Sequence, residues 1–243
     1  MARTLTYFVS DVHLGLEVNN PSDREARFVR MLRGIPASET EALYLLGDIW
    51  DFWYEYKYVV PKGYVQVFAA LEDLIAAGVK VYFFQGNHDI WAYDYFESMG
   101  IVPLKQPYVV RIGDVRFCLG HGDGLGPGQK GYKFMRGAFH NKALQWLFST
   151  LHPRIAFALG RGWSRSSRLA KSISYTFRGE DEPLYKFCRD FPEPVDYFIF
   201  GHYHCFADLE IAGRGSRLLL LGDWITSSNW IVFDGTSLTR VVE

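Results

Sequence analysis

The sequence predicts one layered α/β domain whose functional residues gather at a single edge of its sheet. Six short apolar runs, rich in Val, Ile, Tyr and Phe, indicate buried strands, and each run ends in a cluster of polar residues. Helical patterns separate the strands, which is typical of layered α/β domains. Because ligands usually bind at the carboxyl ends of the strands in such sheets, the polar clusters predict a site at that edge.

The size of the chain agrees with this architecture. A length of 243 residues with 49% hydrophobic residues suffices for one domain, or for one domain with an inserted subdomain. We therefore interpret residues 1–243 as a single domain. In chain order, the predicted strands are Leu5–Val9, Leu43–Leu46, Val79–Phe84, Val115–Leu119, Tyr197–Phe200 and Leu218–Leu221.

Two helices are predicted between the first three strands. Ser22 and Glu25 have the spacing of a capping box, which predicts a helix that runs toward Arg33. The stretch Tyr64–Ala77 predicts a second helix, and Gly78 is expected to end it.

The stretch 124–194 breaks the alternation and is predicted to be a helical insertion, a lid over the sheet edge. A helix that Pro153 ends is indicated by four apolar residues at helical spacing, Leu144, Leu147, Phe148 and Leu151. Further helices are expected at Ile155–Leu159 and Ser166–Tyr175.

The net charge identifies no binding partner, but the cysteine content indicates a cellular compartment. The net charge is −1, and the three cysteines form no C-x-x-C pair, which favours reduced thiols and a cytoplasmic protein. No signal peptide and no apolar run of about 20 residues is visible, so any membrane contact is expected to be peripheral.

Histidines concentrate in the polar clusters at the strand ends. Five of the seven lie there. Together with two aspartates and an asparagine, the set is Asp11, His13, Asp48, Asn87, His88, His121, His202 and His204. A single histidine beside a strand is usually a hydrogen-bonded structural residue, but the whole set suits two ions such as Mn, Fe or Zn. Two divalent ions with two carboxylates keep positive charge for a phosphate and for the activation of water.

The motifs D-V-H, G-D-I-W-D, G-N-H-D, H-G-D and G-H-Y-H resemble those of the calcineurin-like metallophosphoesterase superfamily. The resemblance covers nearly the whole chain outside the insertion and implies a β-sandwich flanked by helices. It implies that one metal ion is held by Asp11, His13, Asp48 and His204. It further implies that Asp48 bridges to a second ion, which is completed by Asn87, His121 and His202.

The same resemblance implies a catalytic role for His88 near the leaving group, with Asp51 orienting its ring. Alternatively, both residues could orient the metal ligands without taking part in catalysis. Asp89 and Asp123 are expected to orient loops, and Cys205 to be packed.

The insertion is strongly basic. Residues 124–179 contain ten Lys and Arg and no acidic residue, so with a net charge of −1 the remainder of the chain carries −1 − 10 = −11. The same segment is rich in aliphatic and aromatic residues. This combination suits a membrane surface or a groove for acyl chains, and the alternative is a small helical subdomain with a solvated basic face. Nucleic acid would also suit the charge, but the large aliphatic content suits it less, so no nucleic-acid partner is expected.

A closer resemblance is to the UDP-2,3-diacylglucosamine diphosphatase family. It is carried by Gly47–Trp53, by His140-Asn141 with the following L-Q-W-L-F, and by Leu221–Trp224. This resemblance implies an enzyme that uses manganese and acts at the inner face of the inner membrane in lipid A assembly. The products it implies are a lipid sugar phosphate and UMP. The typical member has Arg where this chain has His88, and Thr where it has Tyr203.

The resemblance implies a lipid-linked sugar nucleotide as substrate, and no protein partner can be identified. Substrate contacts are expected from Arg168, Lys171, Asp123, Tyr132 and His140, and both His140 and His152 could equally be surface residues. Two other functions stay open: a nuclease or nucleotide hydrolase, and a scaffold without catalysis. The complete set of ligand residues argues against the scaffold.

Overall fold

The computed structural model describes residues 3–174, 177–225 and 227–243, and the side chains of all of these except 165–174. Eleven strands occur in the described residues, and in chain order β1 to β11 are Leu5–Val9, Thr40–Leu45, Lys80–Phe84, Val102–Leu104, Tyr108–Ile112, Val115–Gly120, Tyr197–Phe200, Phe206–Ile211, Ser216–Leu221, Asn229–Phe233 and Leu238–Val242. The α-helices described, α1 to α7, are Pro21–Gly34, Val65–Ala76, Tyr95–Ser98, Lys130–His140, Lys142–Ser149, Pro153–Ser174 and Pro183–Arg189.

The strands form two mixed sheets. The first has the order β11-β10-β1-β2-β3-β4, in which β1 to β4 are parallel and β10 and β11 are antiparallel additions. The second has the order β5-β6-β7-β9-β8, with a parallel centre of β6, β7 and β9. Because the central strands of each sheet are parallel, their carboxyl ends lie at one edge.

The sheets pack face to face, and helices cover their outer faces. A core between the sheets joins Phe8 and Phe84 of the first to Phe117 and Ile199 of the second. A second core joins the first sheet to α1 and α2, and a third joins the second sheet to α7. The predicted layered sandwich flanked by helices is therefore confirmed.

The six predicted strands are all present as β1, β2, β3, β6, β7 and β9. The predicted helix Tyr64–Ala77 is α2, which is shorter by one residue at each end, and Gly78 follows it with φ +88°. The helix predicted after the capping box is present as α1, but the capping box itself is not formed. Helix α1 begins at Pro21, so Ser22 lies inside the helix and Asn20 is the N-cap, and no side chain caps the helix. Proline is well suited to the first helical position because its missing N–H has no partner there in any case.

The described residues of the insertion contain four α-helices, α4 to α7, and α5 is the helix predicted before Pro153. Helix α4 was not predicted, and Pro153 begins α6 instead of only ending the helix before it. The two helices expected at Ile155–Leu159 and Ser166–Tyr175 form the single helix α6, whose described part ends at Ser174. None of the described helices is both long and apolar enough to span a membrane.

Helices α4, α5 and α6 lie against the segments that follow β2 and β3. Tyr54 and Tyr56 donate hydrogen bonds through their hydroxyls to the carbonyls of Gln145 (2.9 Å) and Leu151 (3.2 Å). The ring of Trp91 stacks on Phe148 with 5.4 Å between centroids. The insertion therefore borders the sheet edge at which the polar clusters lie.

Candidate metal centre

Six loops at the carboxyl ends of the parallel strands carry the candidate ligands and their neighbours. The loops follow β1, β2, β3, β6, β7 and β9. Among the ligands, five adopt the left-handed region of φ, a conformation in which Asp and His are enriched over most other residues. They are Asp11 (52°), His13 (52°), Asp48 (52°), His202 (72°) and His204 (53°). Each loop thereby turns sharply and presents its side chain to the same small volume.

The first group of ligand atoms consists of Asp11, His13, Asp48 and His204, all within 4.8 Å of one another. Asp11 Oδ1 lies 3.6 Å from His13 Nε2 and 3.7 Å from His204 Nε2. The rings of His13 and His204 stack with 4.9 Å between centroids. These are the four residues predicted to share one ion.

The second group consists of Asp48, His121 and His202, again within 4.8 Å of one another. His121 Nε2 lies 3.3 Å from Asp48 Oδ2 and 3.2 Å from Asn87 Oδ1. Asp48 is a member of both groups, as a bridging ligand must be. The structure thus brings together all seven residues that the sequence predicted as ligands.

The chemistry of these atoms fits divalent ions. Asp11 Oδ1 and Asp48 Oδ2 are buried and accept no hydrogen bond from the described residues. Buried carboxylate oxygens without donors are costly unless a cation is bound. Burial opposes ionisation of Asp11 and Asp48, but the surrounding histidines outweigh it and hold the pKa of both carboxyls below the usual range. Both are therefore charged, as metal ligands must be.

Two glycines permit the loops to approach this closely. A Cβ at Gly86 would collide with Asp48 Oδ1, and a Cβ at Gly201 would collide with Asp11 Oδ2. The carboxylates use this space to accept backbone hydrogen bonds from the neighbouring loops. His88 N donates to Asp48 Oδ1 (2.8 Å) and His202 N to Asp11 Oδ2 (2.9 Å).

The predicted catalytic pair lies beside the first group. His88 Nδ1 is 2.9 Å from the Asp51 carbonyl oxygen and 3.9 Å from Asp51 Oδ1, so the carbonyl is its nearer acceptor. His88 Nε2 faces the ligands, 4.0 Å from Asp48 Oδ2. The Asp51 carboxylate lies closer to His13, whose Nδ1 is 3.3 Å from Oδ1.

Two supporting residues were not predicted from the sequence. Asp223 Oδ2 lies 3.2 Å from His204 Nδ1, an arrangement that fixes the ring of a metal-binding histidine. The buried Arg24 donates to the carbonyls of His13 and Leu16 and so holds the loop after β1. The position of Asp223 in the polar cluster after β9 is the one sequence signal that could have identified it. No feature of the sequence indicates a role for Arg24.

Asp89 holds the loop after β2, as the predicted loop-orienting role requires. Its carboxylate accepts hydrogen bonds from the backbone amides of Gly86, Asp48, Ile49 and Trp50. The loop that carries Asp48 is thereby tied to the loop that carries Asn87.

The predicted substrate contacts differ in burial, and only some of their side chains are described. Asp123 is buried and accepts hydrogen bonds from Gln106, Tyr132 and Arg136. His140 is exposed at the end of α4. Arg168 and Lys171 belong to α6, but their side chains lie outside the described residues.

A mainly apolar pocket of about 120 Å³ opens between the insertion and the metal centre. Asp51, Asn87 and His88 form its polar end. Its apolar walls are Phe52, Trp91, Phe139, Phe148, Leu159 and Trp163. The pocket therefore joins the predicted catalytic pair, His88 and Asp51, to helices of the insertion.

Known proteins resemble this chain over almost its full length. A family model described as calcineurin-like phosphoesterase matches residues 5–206. The chain is 34% identical to UDP-2,3-diacylglucosamine hydrolase of Porphyromonas gingivalis (strain W83), over 97% of this chain and 96% of that protein. It is 31% identical to the protein of the same name in Aeromonas salmonicida, with 93% and 89% covered. For that of Stenotrophomonas maltophilia the identity is 30%, with 96% of each chain covered.

Proposed function

The chain belongs to the calcineurin-like phosphoesterase family and is a metal-dependent hydrolase, and we propose that it cleaves the diphosphate of UDP-2,3-diacylglucosamine. The products are UMP and the diacylated sugar phosphate, in the lipid A pathway. The observation that carries this proposal is the apolar pocket that opens directly from the metal centre. A diphosphate at the centre would place attached acyl chains beside apolar walls.

The residues proposed to hold the ions are the two groups described above, with Asp48 shared between them. Imidazole, carboxylate and amide donors without thiolate suit Mn²⁺, with Fe and Zn as alternatives. When bound, two such ions lower the pKa of water and neutralise charge on phosphoryl oxygens.

His88 is proposed to supply or share a proton at the leaving oxygen. Its Nδ1 donates to the Asp51 carbonyl, and this leaves Nε2 directed toward the ligand cluster. Asp51 and the backbone of its loop hold the ring in that orientation. Proton transfer of this kind requires a fixed imidazole within reach of the reacting atom.

The insertion is proposed to act as a lid that binds the acyl chains. Its pocket walls are aromatic and aliphatic, and its helices carry basic residues that favour a diphosphate. Substrate contacts from Arg168, Lys171, Asp123, Tyr132 and His140 remain part of this proposal. Tyr132 and Asp123 are joined by a 2.9 Å hydrogen bond and lie near His202.

The first experiment compares substrates on the enzyme and on Trp163→Ala. With Mn²⁺, the wild-type chain is expected to release UMP from UDP-2,3-diacylglucosamine faster than it cleaves DNA or cyclic nucleotides. In Trp163→Ala, kcat/KM for the acylated substrate is expected to fall about tenfold or more, because the substitution removes apolar surface that would contact the acyl chains. Hydrolysis of bis(4-nitrophenyl) phosphate, which has no acyl chain, is expected to fall much less.

The control for this experiment is Tyr58→Ala. Tyr58 is an aromatic residue that lies outside the insertion and is 85% exposed. It is expected to leave both rates near those of the wild type. Preference for DNA or cyclic nucleotides would identify a phosphodiesterase of another substrate class. Equal losses on both substrates in Trp163→Ala would contradict the acyl pocket.

We further propose that the insertion binds the inner membrane surface peripherally. Its helices expose Phe134 (81%), Trp146 (69%), Leu147 (58%) and Ile155 (52%), together with exposed basic residues. Apolar side chains can enter the interface of a bilayer while lysine and arginine meet anionic headgroups. A substrate with two acyl chains would be met at the same surface.

Vesicle binding tests this surface. Wild-type protein is expected to bind vesicles of phosphatidylethanolamine and phosphatidylglycerol, and less at high salt. Trp146→Asp should weaken binding about tenfold or more, because an interfacial aromatic residue is replaced by a charge repelled by the lipid. Tyr58→Asp is the matched control and should bind normally. Absence of wild-type binding, or equal binding by Trp146→Asp, would contradict the proposal.

A further inference from the structure

The hydroxyl of Ser164 reaches from the insertion to the metal centre. Ser164 lies on α6 and is only 1% exposed, and its Oγ donates a 2.8 Å hydrogen bond to Asp51 Oδ2. Asp51 is also buried, with 5% exposure. A buried hydroxyl and a buried carboxylate both lose water on folding, so a hydrogen bond between them lowers the free energy of this particular arrangement.

Gly160 explains how α6 comes so close to Asp51. A Cβ at Gly160 would collide with the ring of Phe52, the residue that follows Asp51. The ring of Phe157 also packs edge-on against Phe52, with 5.3 Å between centroids. Phe157, Gly160 and Ser164 recur at helical spacing and share one face of α6. That face docks on the Asp51–Phe52 segment.

Asp51 connects this docking to two histidines. Its Oδ1 lies 3.3 Å from His13 Nδ1 and 3.9 Å from His88 Nδ1, and its carbonyl accepts from His88 Nδ1 at 2.9 Å. A carboxylate next to the ring N–H of a metal-binding histidine fixes the tautomer and the direction of the ring. Because the two oxygens belong to one rigid group, a bond to Oδ2 also sets the position of Oδ1.

We propose that Ser164 is a positioning residue that aligns His13 and His88 through Asp51, so that docking of α6 completes the metal centre. The helix that walls the pocket thereby also orients the groups that act on the phosphate. This role rests on the phosphoesterase activity of the family. It does not depend on which acylated molecule is the substrate.

The test uses Ser164→Ala, Ser164→Thr and the control Ser149→Ala, an exposed serine of α5. With bis(4-nitrophenyl) phosphate, Ser164→Ala is expected to lower kcat about tenfold and to leave KM within about twofold. Ser164→Thr, which keeps a hydroxyl, should restore most of the rate. Ser149→Ala should match the wild type.

A second measurement does not depend on turnover. In the metal-free protein, ¹⁵N NMR of the imidazoles should show altered His13 and His88 signals in Ser164→Ala and unaltered ones in Ser149→Ala. If Ser164→Ala does not fold, Gly160→Ala keeps the hydroxyl but displaces α6 from Phe52. It should then reproduce both the loss of kcat and the NMR change.

Two results would overturn the proposal. Unchanged kcat together with unchanged imidazole signals would mean that Ser164 only fills space beside Asp51. A loss confined to the acylated substrate, with normal cleavage of the small ester, would mean that Ser164 contacts substrate instead. Because the small ester has no acyl chains, failure of the acyl-chain proposal leaves this test intact.

Discussion

Asp48→Asn is expected to lower kcat about 10³-fold and to reduce the metal content of the purified protein by about one ion per chain. Asp48 lies in both groups of ligand atoms, and its Oδ2 is within 4.0 Å of ring nitrogens of His13, His88 and His121. Asparagine keeps the shape but removes one of only two ligand charges. Loss of the charge stabilisation that an ion provides, several kcal/mol, corresponds to about this factor.

Metal analysis by mass spectrometry and turnover of the same preparation would check this expectation. Asp114→Asn is the matched control, since the Asp114 side chain is 99% exposed and lies in the turn between β5 and β6, at the end of β6 opposite to His121. Its metal content and rate should equal those of the wild type. An Asp48→Asn protein that keeps both ions and full activity would contradict the bridging assignment.

His88→Ala is expected to lower kcat by about 10²–10⁴-fold while both ions stay bound. The reason is that His88 directs Nε2 toward the ligand cluster and is held by Asp51 through Nδ1. If the lost group transfers a proton, added imidazole should restore part of the rate in the alanine variant. Metal content and turnover with and without imidazole are the measurements.

His152→Ala provides the control, since His152 is an exposed histidine of the insertion. It should show normal turnover and no response to imidazole. Loss of an ion from His88→Ala would instead make His88 a support for the ligands. That outcome would leave the two metal groups in place and remove the proposed proton transfer.

The strands that carry the candidate ligands could be predicted because they are buried. The runs Leu5–Val9 and Tyr197–Phe200 coincide with β1 and β7. The edge strands β8 and β11 were missed, since most of their residues are exposed or half-buried and polar residues interrupt the apolar ones. Such strands lack the continuous apolar run on which the prediction depended.

Helix α6 was predicted as two pieces because Gly160 and Gly162 lower helix propensity between them. The structure shows what offsets this at Gly160, where only a glycine fits against Phe52. Local propensity cannot reveal a contact between residues about a hundred positions apart. The same limit applies to Ser164, whose bond to Asp51 spans 113 residues.

The ligands themselves could be predicted because each lies directly after a recognisable strand. The supporting residues Arg24 and Ser164 could not, since they lie inside helices and look like ordinary helical residues. The sheet fixes the position of a residue that directly follows one of its strands. Residues on helices become functional only through tertiary packing, which a single sequence does not display.

Five left-handed residues among the ligands have a meaning for how such a chain evolves. At each of these positions an L-residue costs roughly 1 kcal/mol of stability that glycine would recover in part. Selection for the stability of the metal-free fold alone would therefore favour glycine at Asp11, His13, Asp48, His202 and His204. The side chains that persist against this gradient are a sign of continuing selection, readable from torsion angles in one chain without a single homologue.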